Sequence, residues 1–407
     1  MADTAPTPSK ADYTAGALTL IVAALAALGV VLVYSSSAVG IGMRIQDPTF
    51  FLRRQLLWVF LAAGTFVLTR TTPMGFWRKC AWPVLGGVVT LLLFVLVAGV
   101  ERKTGGARRW LAVGGFQGQP SELAKLGMVM FISAFAAGRR ELIQTLPGAA
   151  TALGCVALVA GLIAVEPDMG TALLITTVCT SILVVAGLKL RHLLLMGTPI
   201  GMGLVLFAFT RLGYIRQRVA NFLDPTPDLA GIGYQTHQAK IAIGSGGLWG
   251  VGLGASQQKR LFLPDVHTDF IFALVGEELG LFGTLGVITL FLAFCYYGIR
   301  AAERARDDFG FLVGTGIVLT LGLQSILNMA VATASVPPKG IALPFVSYGG
   351  SQLIVAAAAA GILARIAADG REQTLVVADD DPSRVAGAML TPSGLWERAR
   401  NLFVSCS

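Results

Sequence analysis

The stretch ALTLIVAALAALGVVLV, residues 17–33, contains no charged side chain and is apolar almost throughout. A helix that crosses the hydrocarbon core of a bilayer needs about 20 predominantly apolar residues, and this run supplies most of them. Similar uncharged runs recur along the 407-residue chain as far as residue 365. Only 13% of the residues are charged, whereas soluble proteins carry about 25%. The sequence therefore predicts an all-α polytopic membrane protein.

Windows of about 20 residues predict ten transmembrane helices. Their approximate ranges are 16–35, 56–70, 80–100, 121–138, 147–165, 170–188, 192–210, 270–297, 310–332 and 350–367. The prediction divides the chain into an N-terminal segment, 1–15, a ten-helix membrane domain, 16–367, and a C-terminal tail, 368–407. The longest connection is a large extracytoplasmic loop, 211–269, between helices 7 and 8. Because the tail includes the polar stretch VVADDDPSR, we expect it to be disordered.

The distribution of Lys and Arg residues predicts the orientation of the chain. An even number of spans places both termini on one side of the membrane. If that side is the cytoplasm, the short inner loops hold ten cations in about 35 residues, and the short outer loops hold eight in about 58. Because cytoplasmic loops are enriched in Lys and Arg, both termini are expected in the cytoplasm and loop 211–269 in the periplasm. Outer cations cluster after the third span, which indicates an anionic partner there.

Composition argues against several functional classes. The net charge is +8, but the cations are dispersed between apolar runs, so nucleic-acid binding is not expected. The five cysteines lie far apart without a C-x-x-C pair and only three histidines exist, so neither a disulfide scaffold nor a zinc site is expected. The glycine run 244–254 lacks the lysine of a phosphate-binding loop. We expect it to pack against the helix bundle as re-entrant or interfacial backbone.

Charged residues around the start of the fourth span are the first candidates for a binding site. Glu122 and Lys125 are three residues apart, so they share one helical face and can form an ion pair. This pair either lets a polar helix end enter the membrane or orients the lysine toward an anion. Upstream, Arg108 and Arg109 either anchor the chain to lipid headgroups or join Lys125 in binding a pyrophosphate.

A tight outer turn, EPDMG at 166–170, separates the fifth and sixth spans. Pro167 restricts the backbone of this turn, and Gly170 leads into the next helix. Asp168 is either the cap of that helix or a polar group of the same binding site.

The stretch LPDVHTDFIFALVGEELG, residues 263–280, ends the large loop and begins an apolar helix. It places His267 and Asp269 at the mouth of the bundle. Asp269 is either a helix N-cap or a general base, since a carboxylate at such a position can take a proton from a substrate. Glu277 would lie about 12 Å deeper along a straight helix, so it and Glu278 are expected to support packing or polar networks.

The stretch SVPPKGIALPFVSYGGSQL, residues 335–353, precedes and enters the last span. It is either a helix-entry turn with close packing or a second wall of the extracellular pocket. In the second interpretation, Lys339 and Ser347 would contact a sugar or a phosphate.

Seven stretches, taken together and in this order, resemble the SEDS family (shape, elongation, division and sporulation), whose members include FtsW and RodA. They are GARRW (106–110), QPSELAKL (119–126), EPDMGTA (166–172), FLDP (222–225) followed by GYQ (233–235), IAIGSGGLWGVGLG (241–254), LPDVHTDFIFALVGEELG (263–280) and PPKGIALPFVSYGGS (337–351). The PPKG turn before LPFVSYGG resembles the division-type FtsW branch. Gln352 stands where this family pattern leads us to expect another small polar residue.

The resemblance implies a ten-helix peptidoglycan glycosyltransferase that polymerises lipid II at the outer face of the bacterial cytoplasmic membrane during cell division. It also implies that the enzyme works with a class B penicillin-binding protein and other divisome proteins. By this analogy Asp269 corresponds to the essential acidic residue of the family, and Glu122 and Lys125 to polar residues of its central cavity. A Mg or Mn ion is associated with some members, but no ligand set in this sequence fixes a metal.

These interpretations combine into one mechanistic hypothesis. Asp269 removes a proton from a sugar hydroxyl as that oxygen attacks the anomeric carbon of a second lipid-linked chain, and undecaprenyl pyrophosphate leaves. Arg109 and Lys125 stabilise the charge of the leaving group. A single displacement of this kind inverts the anomeric centre. Two alternatives remain open, namely a lipid II flippase, which intramembrane charges also suit, and a non-catalytic scaffold that activates a penicillin-binding protein.

Overall fold

The computed structural model describes residues 10–39, 47, 49–101, 108–113, 116–211, 213, 219–220, 222, 232–258 and 266–380. Its helices are α1 (Lys10–Val39), α2 (Phe50–Thr71), α3 (Met74–Ala98), α4 (Pro120–Gly138), α5 (Arg140–Ile143), α6 (Leu146–Val165), α7 (Met169–Val185), α8 (Leu190–Arg211), α9 (Ile232–Ser245), α10 (Ile271–Glu303), α11 (Asp308–Ala332) and α12 (Gly350–Asp380). Each of the ten apolar segments predicted from the sequence coincides with one of these helices.

The predicted polytopic helical architecture is confirmed. In the described ranges, eight helices are long and apolar enough to cross a membrane, namely α1, α2, α3, α4, α6, α10, α11 and α12. Helix α7 is also apolar but has 17 residues. A total of ten spans, with α7 and α8 included, stays a prediction.

Helices α4, α11 and α12 form the centre of the bundle, and α2 and α3 lie at its periphery. In α12, 72% of the most apolar window is buried inside the protein, whereas in α2 the figure is 17%. Apolar surface on a peripheral helix faces hydrocarbon in a membrane, so its exposure is expected there. The start of α4 and the segment that leads into α12 carry four of the nine predicted site residues, and the other five lie on β2, just before α7 and just before α10.

Two predicted domain boundaries differ from the helix ends. Helix α1 begins at Lys10, inside the predicted N-terminal segment 1–15. Helix α12 continues to Asp380, so the start of the predicted tail is helical, and residues 381–407 lie outside the described part. The hydropathy pattern locates the end of the apolar window rather than the end of the helix. An established helix extends readily through residues such as Ala, Arg, Glu and Gln, which follow the apolar window.

A small antiparallel sheet joins α3 to α4 and is absent from the prediction. Its strands are β1 (Val100–Glu101), β2 (Arg108–Val113) and β3 (Phe116–Gly118), in the order β1-β2-β3. In the β2–β3 pair, Ala112 lies opposite Gln117. Hydropathy windows of about 20 residues do not detect strands this short, so the all-α prediction applies to the membrane-spanning part only.

The glycine run that follows α9 packs against α10, as predicted. The N–H of Val251 donates to the carbonyl of Glu277 at 2.9 Å, and the N–H of Leu281 donates to the carbonyl of Gly247 at 3.0 Å. Helix α10 is interrupted between these contacts at Gly280, where φ is 66° and ψ is −159°. A Cβ on Gly280 would lie 2.3 Å from the nitrogen of Gly250, so this close approach requires glycine. Much of the rest of loop 211–269 lies outside the described residues.

Candidate active site

Asp269 lies in the turn that leads into α10, and it is partly buried. Its carboxylate is packed against the backbone of Gly340, because a Cβ on that glycine would lie 3.0 Å from Asp269 Oδ2. The main-chain carbonyl of Asp269 accepts a hydrogen bond of 2.9 Å from Asn328 Nδ2 on α11. The structure therefore brings the predicted base next to the PPKG turn.

The segment that leads into α12 is bonded to the residues around Asp269 through their backbones. Ser347 Oγ donates to the carbonyl of Thr268 at 2.6 Å and accepts from the N–H of Leu343 at 2.8 Å. The N–H of Tyr348 donates to the carbonyl of His267 at 2.8 Å. Because the Ser347 hydroxyl holds two segments of the protein together, its geometry indicates a structural role. Its predicted contact with substrate stays untested.

His267 lies in an aromatic cluster at the same place. Its ring centroid is 5.2 Å from that of Phe51 and 5.6 Å from that of Tyr348, and Phe51 and Tyr348 themselves are 5.1 Å apart. The histidine is only 8% exposed. Its observed contacts pack α2 against the residues before α10.

The EPDMG turn is bonded to strand β2. Arg109 Nε donates to the carbonyl of Glu166 at 2.7 Å, and Arg109 Nη2 donates to the carbonyl of Pro167. Both acceptors are neutral, so these bonds leave the charge of the guanidinium uncompensated. Arg108 is the first residue of β2, and its side chain lies outside the described part.

Asp168 caps α7 and also contacts the start of α4. Its Oδ1 accepts from the N–H of Thr171 at 3.2 Å, which confirms the cap. Its Oδ2 accepts from Gln119 Nε2 at 3.0 Å and from Ser121 Oγ at 3.4 Å. Asp168 is therefore both a helix cap and a polar link between two spans.

Lys339 lies against the EPDMG turn. Its Cδ is 3.7 Å from the position that a Cβ on Gly170 would occupy, and Ile341 is closer still. The next residue, Gly340, contacts the Asp269 carboxylate. The PPKG turn thus lies between the start of α7 and the candidate base, and the predicted contact of Lys339 with a sugar or a phosphate stays untested.

Glu122 and Lys125 form the predicted ion pair on α4. Lys125 Nζ is 2.8 Å from Glu122 Oε2 and donates to Gln324 Oε1 on α11, also at 2.8 Å. Gln324 Nε2 in turn donates to the carbonyl of Ala342 at 3.0 Å. Gln352, the residue that departs from the expected small side chain, donates to the same carbonyl at 2.9 Å. The pair is therefore connected to the segment that contacts Asp269.

A small cavity lies beside this ion pair. Its lining residues are Glu122, Lys125, Leu126, Val129, Ile317, Thr320, Leu321, Gln324, Gln352, Val355, Ala356 and Ala359. The free volume is about 20 Å³, which is room for one water molecule. A molecule as large as a sugar does not fit inside it.

Gln324 and Asn328 belong to the site but were missed in the sequence analysis. They are one helical turn apart on α11 and therefore share a face. Gln324 contacts Lys125, and Asn328 contacts Asp269. Two amides four residues apart in an otherwise apolar span are a usable signal, because polar groups are rare in membrane helices and usually face the bundle interior.

Glu277 and Glu278 lie in polar networks, as predicted. Glu277 accepts from Ser256 Oγ at 2.5 Å and from the N–H of Gln257 at 2.8 Å. Glu278 accepts from Ser35 Oγ at 2.6 Å. Both carboxylates are buried, and that of Glu278 joins α10 to α1.

Glu166, in the EPDMG turn, is a buried acid that the sequence analysis did not single out. It is 1% exposed, and within the described ranges neither carboxyl oxygen has a hydrogen-bond partner. Burial raises the pKa of Glu166 to about 8, with a further rise from Asp168 and an opposing effect of Arg109. The protonated, neutral form of the side chain therefore predominates at pH 7.

We expect Glu166→Gln to stabilise the protein more at pH 8 than at pH 5. The folded chain retains a proton on Glu166 up to about pH 8, whereas the free carboxyl loses it near 4.5. The stability that this proton contributes is complete below pH 4.5 and is lost as the pH rises toward 8. By pH 7 the loss is at most on the order of 3 kcal/mol. Glutamine does not titrate. Melting temperatures in detergent at both pH values, with exposed Glu141→Gln as control, test this, and an equal difference at the two pH values contradicts it.

The described residues do not provide a metal-binding group. Within the described ranges, no three His, Cys, Asp or Glu side chains lie together in an arrangement that could hold a metal ion. A divalent cation such as Mg requires several oxygen ligands around one point. The association with a metal ion therefore stays untested, and we derive no step through the Mg or Mn ion that the resemblance associates with some members.

Comparison with known proteins shows the family. A family model described as "Cell cycle protein", whose name combines FtsW, RodA and SpoVE, matches residues 16–372. A Trichlorobacter lovleyi protein named "Probable peptidoglycan glycosyltransferase FtsW" is 37% identical over 352 residues, which is 86% of this chain and 92% of that protein. "Stage V sporulation protein E" of Bacillus subtilis is 37% identical over 356 residues, covering 86% of this chain and 95% of the relative.

Comparison with solved structures indicates the same family. One chain of a structure described as "Structural coordination of polymerization and crosslinking by a peptidoglycan synthase complex" is 30% identical, with a TM-score of 0.72, covering 87% of this chain and 97% of that chain. The Thermus thermophilus rod shape determining protein RodA is 28% identical, with a TM-score of 0.62, covering 86% of this chain and 96% of its own. The chain is therefore a multi-pass membrane protein of the FtsW/RodA/SpoVE family, the SEDS proteins.

Proposed function

We propose that this protein is a peptidoglycan glycosyltransferase of the FtsW type, which polymerises lipid II into glycan strands during cell division. Relatives at 36–38% identity carry that activity in their names, and a structural neighbour belongs to a peptidoglycan synthase complex. The observation that carries the proposal is the position of the Asp269 carboxylate, at the start of α10 and against the turn that bears Lys339. This arrangement presents a proton acceptor against the turn that bears a cation.

In the proposed reaction Asp269 accepts the proton of a sugar hydroxyl on one lipid-linked chain. The hydroxyl oxygen forms a bond to the anomeric carbon of a second chain, and the bond from that carbon to undecaprenyl pyrophosphate breaks. The configuration at the carbon inverts, so no second carboxylate is needed as a nucleophile. Because the bilayer confines both lipid-linked substrates, it supplies much of their relative orientation.

Arg109 is the better candidate for stabilising the leaving pyrophosphate. Its described partners are neutral carbonyls, so its full charge is available to an anion. Lys125 is paired with Glu122 at 2.8 Å, which neutralises most of its field. Lys339 beside the EPDMG turn supplies a second cation on the same side as Arg109. We assign Arg109 and Lys339 to the pyrophosphate, and Lys125 to the support of the pocket wall.

The proposal includes a partner and an orientation. The structural neighbour belongs to a complex that coordinates polymerisation with crosslinking, which supports a class B penicillin-binding protein as the partner. We place both termini in the cytoplasm and the Asp269 site at the periplasmic face, on the density of Lys and Arg in the short loops. Other divisome proteins complete the predicted assembly.

A polymerisation assay in detergent tests the proposed activity. The purified protein is incubated with fluorescent lipid II, alone and with its cognate transpeptidase, and products are separated on a gel. Glycan ladders are expected, because polymerisation requires no second leaflet. A flippase gives no ladder in detergent but moves lipid II across vesicle membranes. If the protein is a scaffold, ladders appear only when the partner is present, because the polymerising activity then resides in the partner. Either of the last two results contradicts the proposal.

A further inference from the structure

Asn328 contacts both segments that form the candidate active site. This amide lies near the C-terminal end of α11 and is fully buried. Its Nδ2 donates to the carbonyl of Asp269 at 2.9 Å and to the carbonyl of Ile341 at 2.7 Å. One nitrogen therefore joins the turn that carries the candidate base to the segment that carries Lys339 and Gly340.

The chemistry of the two contacts fixes the orientation of the amide. Both acceptors are carbonyl oxygens, so the group that faces them must be the NH₂, and the opposite orientation would place Oδ1 against two other oxygens. Both hydrogens of the nitrogen are used. A carboxylate or a hydroxyl at this position supplies at most one donor, so neither can make both bonds.

The oxygen of the same amide is a second observation at this position. In the part of the chain that the structure describes, Asn328 Oδ1 is buried and has no hydrogen-bond partner. A buried acceptor without a partner costs free energy that an apolar residue would avoid. Unsatisfied polar groups of this kind call for an explanation in native proteins, and a requirement of the active site is one.

The bridge lies close to the reacting group. Gly340, against which the Asp269 carboxylate is packed, directly precedes Ile341, whose carbonyl Asn328 holds. We propose that Asn328 is a positioning residue that fixes the Asp269 backbone relative to the PPKG turn, so that the carboxylate faces the acceptor hydroxyl in one geometry. The inference rests on the proposed function, in which Asp269 is the base. Displacement of a reacting group by about 1 Å reduces rates by about 100-fold.

Kinetics of Asn328→Ala and Asn328→Asp in the lipid II polymerisation assay test this inference. Rates are normalised to folded protein and measured well below the melting temperature of each variant. We expect kcat to fall by about 10- to 100-fold with KM for lipid II nearly unchanged, because Asn328 is fully buried and our proposal gives it no contact with the substrate. Ser325→Ala is the matched control, since Ser325 is buried on the same helix and its described hydrogen bond is to the carbonyl of Gly322.

A second measurement separates positioning from folding. In an Asp269→Glu background, where the carboxylate is already displaced, Asn328→Ala should reduce kcat by much less than it does in the wild type, because both changes act through one group. Three results would overturn the inference. They are equal losses of kcat in the two backgrounds, a kcat of the Asn328 variants like that of Ser325→Ala, and failure of both single Asn328 variants to fold. An inactive wild type instead contradicts the proposed function itself, and the two failures are therefore distinct.

Discussion

Asp269→Asn is expected to abolish glycan polymerisation while the protein remains folded and binds lipid II. A general base contributes about 100- to 10,000-fold to a rate, and the amide of asparagine does not accept a proton at neutral pH. The bond from Asn328 uses the main-chain carbonyl of residue 269, so the substitution leaves that contact in place. We therefore expect kcat to fall by about 1,000-fold with little change in melting temperature.

Three measurements on the same preparation test these outcomes. They are the formation of glycan ladders from labelled lipid II, the binding of lipid II, and thermal melting. Asp308→Asn is the control. Asp308 is an exposed carboxylate that pairs with Arg140, and it lies at the opposite end of α11 from Asn328. Normal ladders from Asp269→Asn would remove the base assignment and leave the family and the fold untouched. Loss of ladders together with loss of lipid II binding would indicate that Asp269 binds the substrate rather than activates it.

The helices and several polar contacts could be predicted because their causes are local. A bilayer demands long apolar runs, so hydropathy located each span to within a few residues at most ends. The Glu122–Lys125 pair follows from a spacing of three residues on a helix, and the Asp168 cap follows from a turn aspartate before a helix. These features depend on neighbours within one turn, which a sequence displays directly.

The remaining features depend on contacts between distant residues. Arg109 bonds to carbonyls 57 and 58 residues away, and Asn328 joins segments that lie 59 residues before it and 13 after it. Backbone carbonyls leave no trace in the side-chain pattern, so the sequence could not indicate that these two residues hold loops in place. The small β-sheet was missed because its strands are shorter than any hydropathy window.

Lys125→Met is expected to destabilise the protein strongly, and Glu122→Gln on the same chain is expected to restore most of the loss. Lys125 and Glu122 are 6% and 13% exposed. Removal of one partner from a buried ion pair leaves the other charge uncompensated, which costs about 3–5 kcal/mol, whereas replacement of both partners by neutral groups is often close to neutral. Melting temperatures of the two single variants and the double variant measure this coupling.

The double variant also decides what the ion pair does in the reaction. In our assignment Lys125 supports the pocket wall through Gln324, so Glu122→Gln/Lys125→Met should fold and retain activity within about tenfold of the wild type. The double variant loses one hydrogen bond, from Lys125 Nζ to Gln324 Oε1. Such a bond contributes at most about 1.4 kcal/mol, which corresponds to a tenfold decrease in rate. A stable double variant that has lost 1,000-fold or more in kcat would contradict this assignment. The lysine would then belong with Arg109 at the leaving pyrophosphate. A large loss of kcat without a loss of stability is the effect expected when the removed charge acts in the transition state.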